Sequence, residues 1–151
     1  MQIHQSVTDS VLASMVLLPK TYLKNTTPST FFVDMRDFDY VDFVIMLGAT
    51  DCRVDAKAQE SAGADGGTPT DVIGAAITQI AANGDNRQVV LSVRKETTTK
   101  RYVGVLLTTF NEGTSADLAV EAIRYRKVGN LPVPQSPAGT YTYLTGEVIK
   151  V

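Results

Sequence analysis

Residue types that usually build enzyme active sites and metal centres are scarce in this chain. Its 151 residues include no Trp, one Cys (Cys52) and one His (His4). A single Cys excludes an internal disulfide, and a single His cannot by itself assemble a zinc site or a catalytic triad. We therefore expect no enzyme activity, no catalytic residue, no bound metal and no cofactor.

The charge balance and the apolar runs exclude two classes of partner. The formal net charge is -2, so the chain has no global basic field for binding phosphates. The longest apolar stretch, 11–18, is interrupted by Ser14 and is much shorter than the roughly 20 residues of a membrane-spanning helix. The first ten residues carry Asp9 and no Lys or Arg, which does not fit a secretory signal. We expect no nucleic-acid partner, no membrane and synthesis in a cytoplasm.

Alternating apolar and polar residues are the main structural signal. Apolar side chains occupy every second position of the segment 39–47, as a half-buried strand requires. That row consists of Val41, Phe43, Ile45 and Leu47. The same alternation begins at Cys52 and continues to Ala58, so we expect the Cys52 side chain to point into the core.

Two more alternating segments, 89–94 and 103–107, are separated by the polar residues 96–100. This spacing predicts an antiparallel hairpin. Three further strands are expected, at 31–35, at 118–125 and, with a weaker pattern, at 15–22. The last pattern is weaker because Pro19 cannot donate a hydrogen bond to a central strand ladder. The chain therefore contains six or seven predicted strands.

The segment 72–80 fits two secondary structures. Its apolar residues recur at the spacing of a helix, which Thr70 or Asp71 would cap and Asn83 would end. Gly74 weakens a helix by about 1 kcal/mol relative to Ala, and the even-numbered residues equally form one face of a strand. We favour the helix and keep the strand as the alternative.

Many short strands with turn signals predict an all-β fold. We expect a β-sandwich or jelly-roll-like antiparallel domain with at most one short helix and extended terminal segments. The predicted divisions are an N-terminal segment that can form an arm (1–29), the sandwich domain (30–129) and a Pro-rich C-terminal tail (130–151). The tail either contacts a neighbouring subunit or folds back as an edge strand of its own sheet.

Charged residues form two groups of opposite sign. Residues before position 86 carry a formal charge of -6, and those from position 86 onward carry +4. The acidic group includes Asp34, Asp37, Asp39 and Asp42. Its spacing fits a calcium loop poorly, and without Trp the pair Asp37 and Asp39 lacks a sugar-stacking platform for glycoside hydrolysis. The two groups predict solvated faces and internal ion pairs, or else surfaces that orient subunits.

The order of short motifs along residues 30–133 resembles small structural proteins encoded among the head genes of tailed bacteriophages. The shared order is a strand before Gly48-Ala49, a strand ending in Glu60-Ser61, a Gly-rich loop and a strand with Arg101-Tyr102-Val103. The resemblance also covers Phe32-Val33-Asp34, Phe43-Val44-Ile45, Asp71-Val72-Ile73-Gly74-Ala75 and Leu107-Thr108-Thr109.

Within that group the chain resembles the capsid decoration, or cement, proteins. The resemblance implies a non-enzymatic β-sandwich or jelly-roll module, commonly a homotrimer, which sits on the outer head surface and stabilises the capsid by clamping neighbouring subunits. The implied partners are the major capsid protein and copies of the chain itself. The implied location is the virion, after synthesis in the bacterial host cytoplasm.

Contacts of such a module are expected near both chain termini. The candidate interface residues are Leu17, Leu18, Tyr22, Tyr141, Tyr143 and Leu144. Ordinary core packing is the alternative role of each. Two other functions stay open: a tail, adaptor or receptor-binding component of the same particle, and a carbohydrate-binding or hydrolytic β-sandwich.

Overall fold

A computed structural model describes residues 11–126, 141–143 and 146–150 and contains two β-sheets. The larger sheet has the strand order β1 (Val11–Leu23), β8 (Ser115–Tyr125), β3 (Tyr40–Thr50), β6 (Arg87–Arg94), β10 (Gly146–Lys150) and β9 (Tyr141–Tyr143). The smaller sheet has the order β2 (Val33–Asp34), β7 (Tyr102–Thr109), β4 (Val54–Ser61) and β5 (Thr70–Ala76). Neighbouring strands are antiparallel, apart from the parallel pair β6 and β10. The predicted all-β sandwich is confirmed.

Among the described residues, helical structure is limited to one 3-10 turn, at Lys95–Thr97. None of the described elements is a helix with the length and hydropathy needed to cross a membrane.

The core lies between the two sheets and consists mainly of every second residue of the central strands. In β3, Val41, Phe43 and Ile45 are fully buried, and the residues between them are half-buried. Branched and aromatic side chains suit this arrangement because they pack well on a pleated surface. Cys52 is buried in the same core, as predicted, and burial raises the pKa of its thiol.

The predicted hairpin of residues 89–107 is wrong. Its two arms are β6 and β7, which belong to different sheets, because β6 pairs with β3 and β7 pairs with β4. Alternation identifies the buried face of each arm but does not distinguish pairing between the arms from a crossing between sheets. The 3-10 turn and the residues after it make that crossing.

A buried carboxylate holds the crossing in place. Glu60 of β4 accepts hydrogen bonds from the Thr99 hydroxyl at 2.6 Å, from the Thr99 backbone N–H at 2.6 Å and from the Lys100 N–H at 3.1 Å. Burial raises the pKa of Glu60, but these donors favour the charged carboxylate more strongly, so its pKa is lowered overall.

The favoured helix over 72–80 is also wrong, and the strand alternative is correct for its first part, β5. Gln59 of β4 pairs with Asp71 of β5, and Lys57 pairs with Ala76. The chain therefore advances five residues along β5 where it advances two along β4, and the extra residues of β5 form a bulge. Gly74 lies in this bulge with φ of +78°, which Gly adopts at little cost.

Both terminal regions contribute strands to the larger sheet. β1 pairs with β8 along its length, so residues 11–23 form a strand of the larger sheet. β10 pairs with β6, and β9 pairs with β10. The residues 141–143 and 146–150 therefore pair as strands of the larger sheet, and the role of the tail at a neighbouring subunit stays a prediction.

Candidate interaction surface

β1 changes its register twice along β8. Met15 pairs with Glu121 and Leu17 with Val120, so one extra residue of β1 lies between the two pairs. The next pair is Lys20 with Leu118, which adds a second extra residue beside Pro19. Pro is tolerated here because β1 is an edge strand and bulges are among the positions where a strand accepts Pro.

The first bulge of β1, at Val16, links the larger sheet to the segment before β2 of the smaller sheet. The Val16 carbonyl accepts a hydrogen bond from the Phe31 N–H at 3.0 Å. The preceding residue, Thr30, donates its N–H to the Val105 carbonyl at 3.0 Å and accepts the Val105 N–H on its hydroxyl at 2.7 Å. The β1 backbone is thereby fixed beside the β2 and β7 side of the smaller sheet.

Large apolar side chains remain exposed along this side. The most exposed are Leu18 (66%), Leu23 (64%) and Phe31 (75%). We call the group the β1 apolar edge; its members are Leu12, Met15, Leu18, Leu23 and Phe31. Single exposed apolar residues are normal on protein surfaces, but several on one edge strand and the segment bonded to it mark a candidate docking surface.

An open groove lies on the outer face of the larger sheet, beside the Pro19–Thr21 part of β1. Its volume is about 510 Å³, and the cross-strand pair Met46 and Ala119 contributes to its lining. Pro19 and Lys20 of β1 line it as well, together with Asp117 of β8. The groove is therefore apolar with charges of both signs.

The structure separates the candidate interface residues that lie in β1. Leu17 is buried in the core (7% exposed), whereas its neighbour Leu18 points to solvent. Tyr22 is half-buried against the core, and burial raises the pKa of its phenol. Tyr141 and Tyr143 lie in β9, at the opposite edge of the larger sheet, and Leu144 lies outside the described residues. Their interface role stays a prediction.

Four members of the β1 apolar edge were not among the candidate residues. Leu12, Met15, Leu23 and Phe31 are ordinary apolar residues of strand-like segments, so alternation alone favours burial for them. The sequence signal that bears on their exposure is Pro19, because a Pro inside a strand pattern indicates an edge strand or a bulge.

One further exposed apolar residue lies away from the β1 apolar edge, on the β5 edge of the smaller sheet. Ile73, in the bulge of the edge strand β5, is 92% exposed. The bulge turns this side chain away from the core, while Val72 and Ala75 on either side of Ile73 and Gly74 are buried.

The acidic and basic groups of the sequence meet at one end of the sandwich. Arg101 donates from Nε and Nη2 to the two carboxylate oxygens of Asp34, at 2.8 and 2.5 Å, and these hydrogen bonds hold the Asp34 pKa well below its usual range. Arg124 donates to the Asp34 backbone carbonyl at 3.1 Å, and Arg126 donates to that of Asp37 at 2.7 Å. The Arg101–Asp34 contact is an internal ion pair, one of the two interpretations of the charge pattern, whereas Arg124 and Arg126 bond backbone carbonyls.

Asp42 has partners on the outer face of the larger sheet. Its carboxylate accepts hydrogen bonds from the Ser92 hydroxyl and, at 2.9 Å, from the Tyr125 hydroxyl. Burial and the nearby Asp42 charge raise the Tyr125 pKa, and the Tyr125 ring stacks on Tyr40 with centroids 5.3 Å apart. Within residues 11–126, no three His, Cys, Asp or Glu side chains come together as a metal site would require.

Comparisons with known proteins assign no family to the chain. No protein-family model matches it. No curated protein sequence matches it either.

Solved structures give partial likenesses. The VP2 subviral particle of infectious bursal disease virus aligns with 81% of this chain and 33% of its own, at 13% identity and a TM-score of 0.49. The T13 particle of the same virus aligns with 82% and 33%, at 13% identity and 0.45. A disulfide-linked pilus of Bacillus endospore appendages aligns with 79% and 90%, at 13% identity and 0.43.

The chain spans about a third of the length of these viral chains. Because the three TM-scores lie below 0.5 and the identities are low, these likenesses carry no argument about function.

Proposed function

We propose that this chain is a structural virion protein that binds the outside of a bacteriophage head and clamps neighbouring capsid subunits. The observation that carries the proposal is the β1 apolar edge: several large apolar side chains on one edge strand and the segment bonded to it stay exposed, although the sandwich has a buried apolar core of its own. The order of motifs along residues 30–133, which resembles that of capsid decoration proteins, points to the same role.

The energetics of such a surface suit adhesion. Full burial of a Leu or Phe side chain contributes about 1.5–3 kcal/mol, so Leu18 and Phe31 together supply a useful share of a contact. A stable interface buries roughly 800 Å² on each partner, and many symmetric copies add avidity without strong individual contacts. A clamp therefore needs a rigid module and a modest apolar surface.

The partners follow from this role. The chain binds the major capsid protein on the outer head surface. Copies of the chain also bind each other, and a homotrimer is the favoured assembly. The chain is synthesised in the bacterial host cytoplasm and ends in the virion.

A head-binding assay tests the proposal. Purified chain is added to phage heads that lack it, and bound copies are counted by quantitative mass spectrometry after sedimentation of the heads. We expect saturable binding of many copies per head. Leu18→Asp should abolish binding, because it places a charge on the β1 apolar edge. Asn111→Asp adds the same charge in an exposed loop and should bind like the wild type.

The number of copies bound per head distinguishes a decoration protein from a tail or adaptor component. A few copies per particle, bound at one vertex, would indicate a tail or adaptor component. No binding of the wild-type chain to heads would overturn the proposed function.

A further inference from the structure

A carboxylate with an unsatisfied oxygen lies on the outer face of the smaller sheet. Asp55 is the second residue of β4, and its neighbours Val54 and Ala56 are buried in the core, so the Asp55 side chain points away from the core. Its Oδ1 is shielded from solvent and accepts no hydrogen bond from any described residue. A buried acceptor without a donor is unfavourable, and more so when the group carries a charge. We therefore expect a cationic donor to bind favourably at this carboxylate.

The basic side chains beside Asp55 are paired with other carboxylates. Arg53 and Lys57 lie two positions to either side of Asp55 and share its face of the sheet. Arg53 Nε lies 2.8 Å from Glu112 Oε2, and Lys57 Nζ lies 2.6 Å from Asp71 Oδ2. These five side chains comprise three carboxylates and two cations. Within this group, the charge of Asp55 is therefore left without an opposite charge.

Asp55 lines a groove of about 440 Å³ on the same face. Thr108 of β7 is the residue directly opposite Asp55 in the strand pairing, which brings the Thr108 side chain beside the carboxylate. Gln79, in the segment after β5, contributes to the lining, and Leu106 of β7 adds an apolar side chain. The groove therefore combines one uncompensated negative charge, neutral hydrogen-bonding groups and an apolar surface.

From this arrangement we infer that the groove binds the guanidinium group of an arginine on a partner protein. A guanidinium has a fixed positive charge and five N–H donors in one plane, so it can bond the Asp55 carboxylate and a neighbouring neutral oxygen together. Thr108 and Gln79 supply such oxygens, and the methylene groups of the arginine pack against Leu106. A lysine ammonium is a point charge with three donors and uses fewer of these acceptors.

An arginine on a protein surface fits this groove better than a free small molecule does. Sites for small molecules enclose most of the ligand surface, whereas this groove lies on the face of a sheet. A partner protein supplies the remaining contacts around the single side chain. The groove shares no residue with the β1 apolar edge, so this inference goes beyond the proposed function and its test needs no phage heads.

An NMR titration of the isolated chain tests the inference. The probe is Nα-acetyl-L-arginine methylamide, which presents the side chain as a protein does. We expect saturable shifts of the backbone amides of residues 55–57 and 106–108. The citrulline analogue has nearly the same shape without the charge, and it should bind more weakly, as should the lysine analogue.

Two variants and a matched control locate the site. Asp55→Asn keeps the shape of the side chain and removes its charge, so the dissociation constant of the arginine probe should rise about tenfold, as expected for a hydrogen bond to a charged group. Thr108→Val removes a hydroxyl from the groove and should weaken binding by a smaller factor. Asp37→Asn removes the same charge outside the groove and should bind the probe like the wild type.

Four results would overturn the inference: no saturable shift at these amides, equal affinity for the citrulline or lysine analogue, tighter binding of free L-arginine than of the probe, or an unchanged affinity of Asp55→Asn. Circular dichroism verifies that each variant is folded. If Asp55→Asn unfolds, Thr108→Val takes its place, and an unchanged affinity of that variant would overturn the inference as well.

Discussion

β3 and β1 belong to the same sheet and are both rich in apolar residues, yet those residues meet different surroundings. β3 lies between β8 and β6 and keeps one register along β6, so Val41, Phe43 and Ile45 all face the core. β1 lies at the edge and changes register twice along β8, so the adjacent residues Val16 and Leu17 are both buried and Leu18 is exposed. A regular central strand places its apolar residues in the core, and an irregular edge strand leaves several of them available to a partner.

This difference separates two kinds of contribution. Apolar residues of β3 hold the two sheets together, and the β1 apolar edge is free to contact other molecules. Substitutions in β3 should therefore change stability, and substitutions in the β1 apolar edge should change binding. Four substitutions test that separation, from the largest expected effect on stability to the smallest.

The largest effect is expected from Phe43→Ala. Phe43 is fully buried at the centre of β3, and its truncation leaves a cavity between the sheets. We expect a loss of about 3–5 kcal/mol in the free energy of unfolding, measured by urea denaturation. A loss below about 1 kcal/mol would show that the core is not centred on β3.

Leu17→Ala should come next. Leu17 is buried, but it lies in the irregular part of an edge strand, where neighbouring residues can relax more easily. We expect a loss of about 2 kcal/mol, at the lower end of the range for buried Leu residues. Unchanged stability would place Leu17 outside the core, together with Leu18.

Glu60→Gln tests the polar contact that fixes the crossing between the sheets. The substitution removes a charged acceptor from the Thr99 and Lys100 donors, so we expect a loss of about 1.5 kcal/mol at pH 7. Because the folded pKa of Glu60 is lowered, its contribution is present above its ordinary value of 4.5 and is lost as the pH falls through the folded pKa.

The difference between wild type and Glu60→Gln should therefore shrink as the pH is lowered from 7 to 3. Denaturation curves at several pH values measure it. A difference that is constant with pH would show that the Glu60 charge does not stabilise the crossing.

The smallest effect on stability is expected from Leu18→Ala. The Leu18 side chain is mostly in solvent, so the free energy of unfolding should change by less than about 0.5 kcal/mol. The same variant should bind heads more weakly than the wild type in the sedimentation assay. A stability loss equal to that of Leu17→Ala would remove the distinction between these neighbours.

The alternation of apolar and polar residues predicted the buried residues well, but it predicted the pairing of the strands less well. It correctly gave the buried rows of β3 and β4, because a strand with one face in a core must alternate. It gave the wrong neighbour for β6, since a chain that crosses to the other sheet shows the same alternation as one that turns back. Glu60, which holds the crossing, is distant in sequence from the Thr99 donors.

Bulges explain why the sequence pattern predicted a helix over 72–80 and did not predict the exposed residues of β1. In β5 the bulge at Ile73 and Gly74 places the buried residues Val72 and Ala75 three positions apart, which is also the spacing of a helix. In β1 the first bulge places the adjacent residues Val16 and Leu17 both in the core, which strict alternation does not predict. The β1 apolar edge therefore became visible only in the structure.

The most direct test of the account is electron cryo-microscopy of intact phage heads at subnanometre resolution. The account predicts density for this sandwich on the outer shell, with Leu18 and Phe31 buried in contacts with neighbouring molecules. A sandwich found on the shell with Leu18 and Phe31 facing solvent would contradict the assignment of the β1 apolar edge as the adhesive surface.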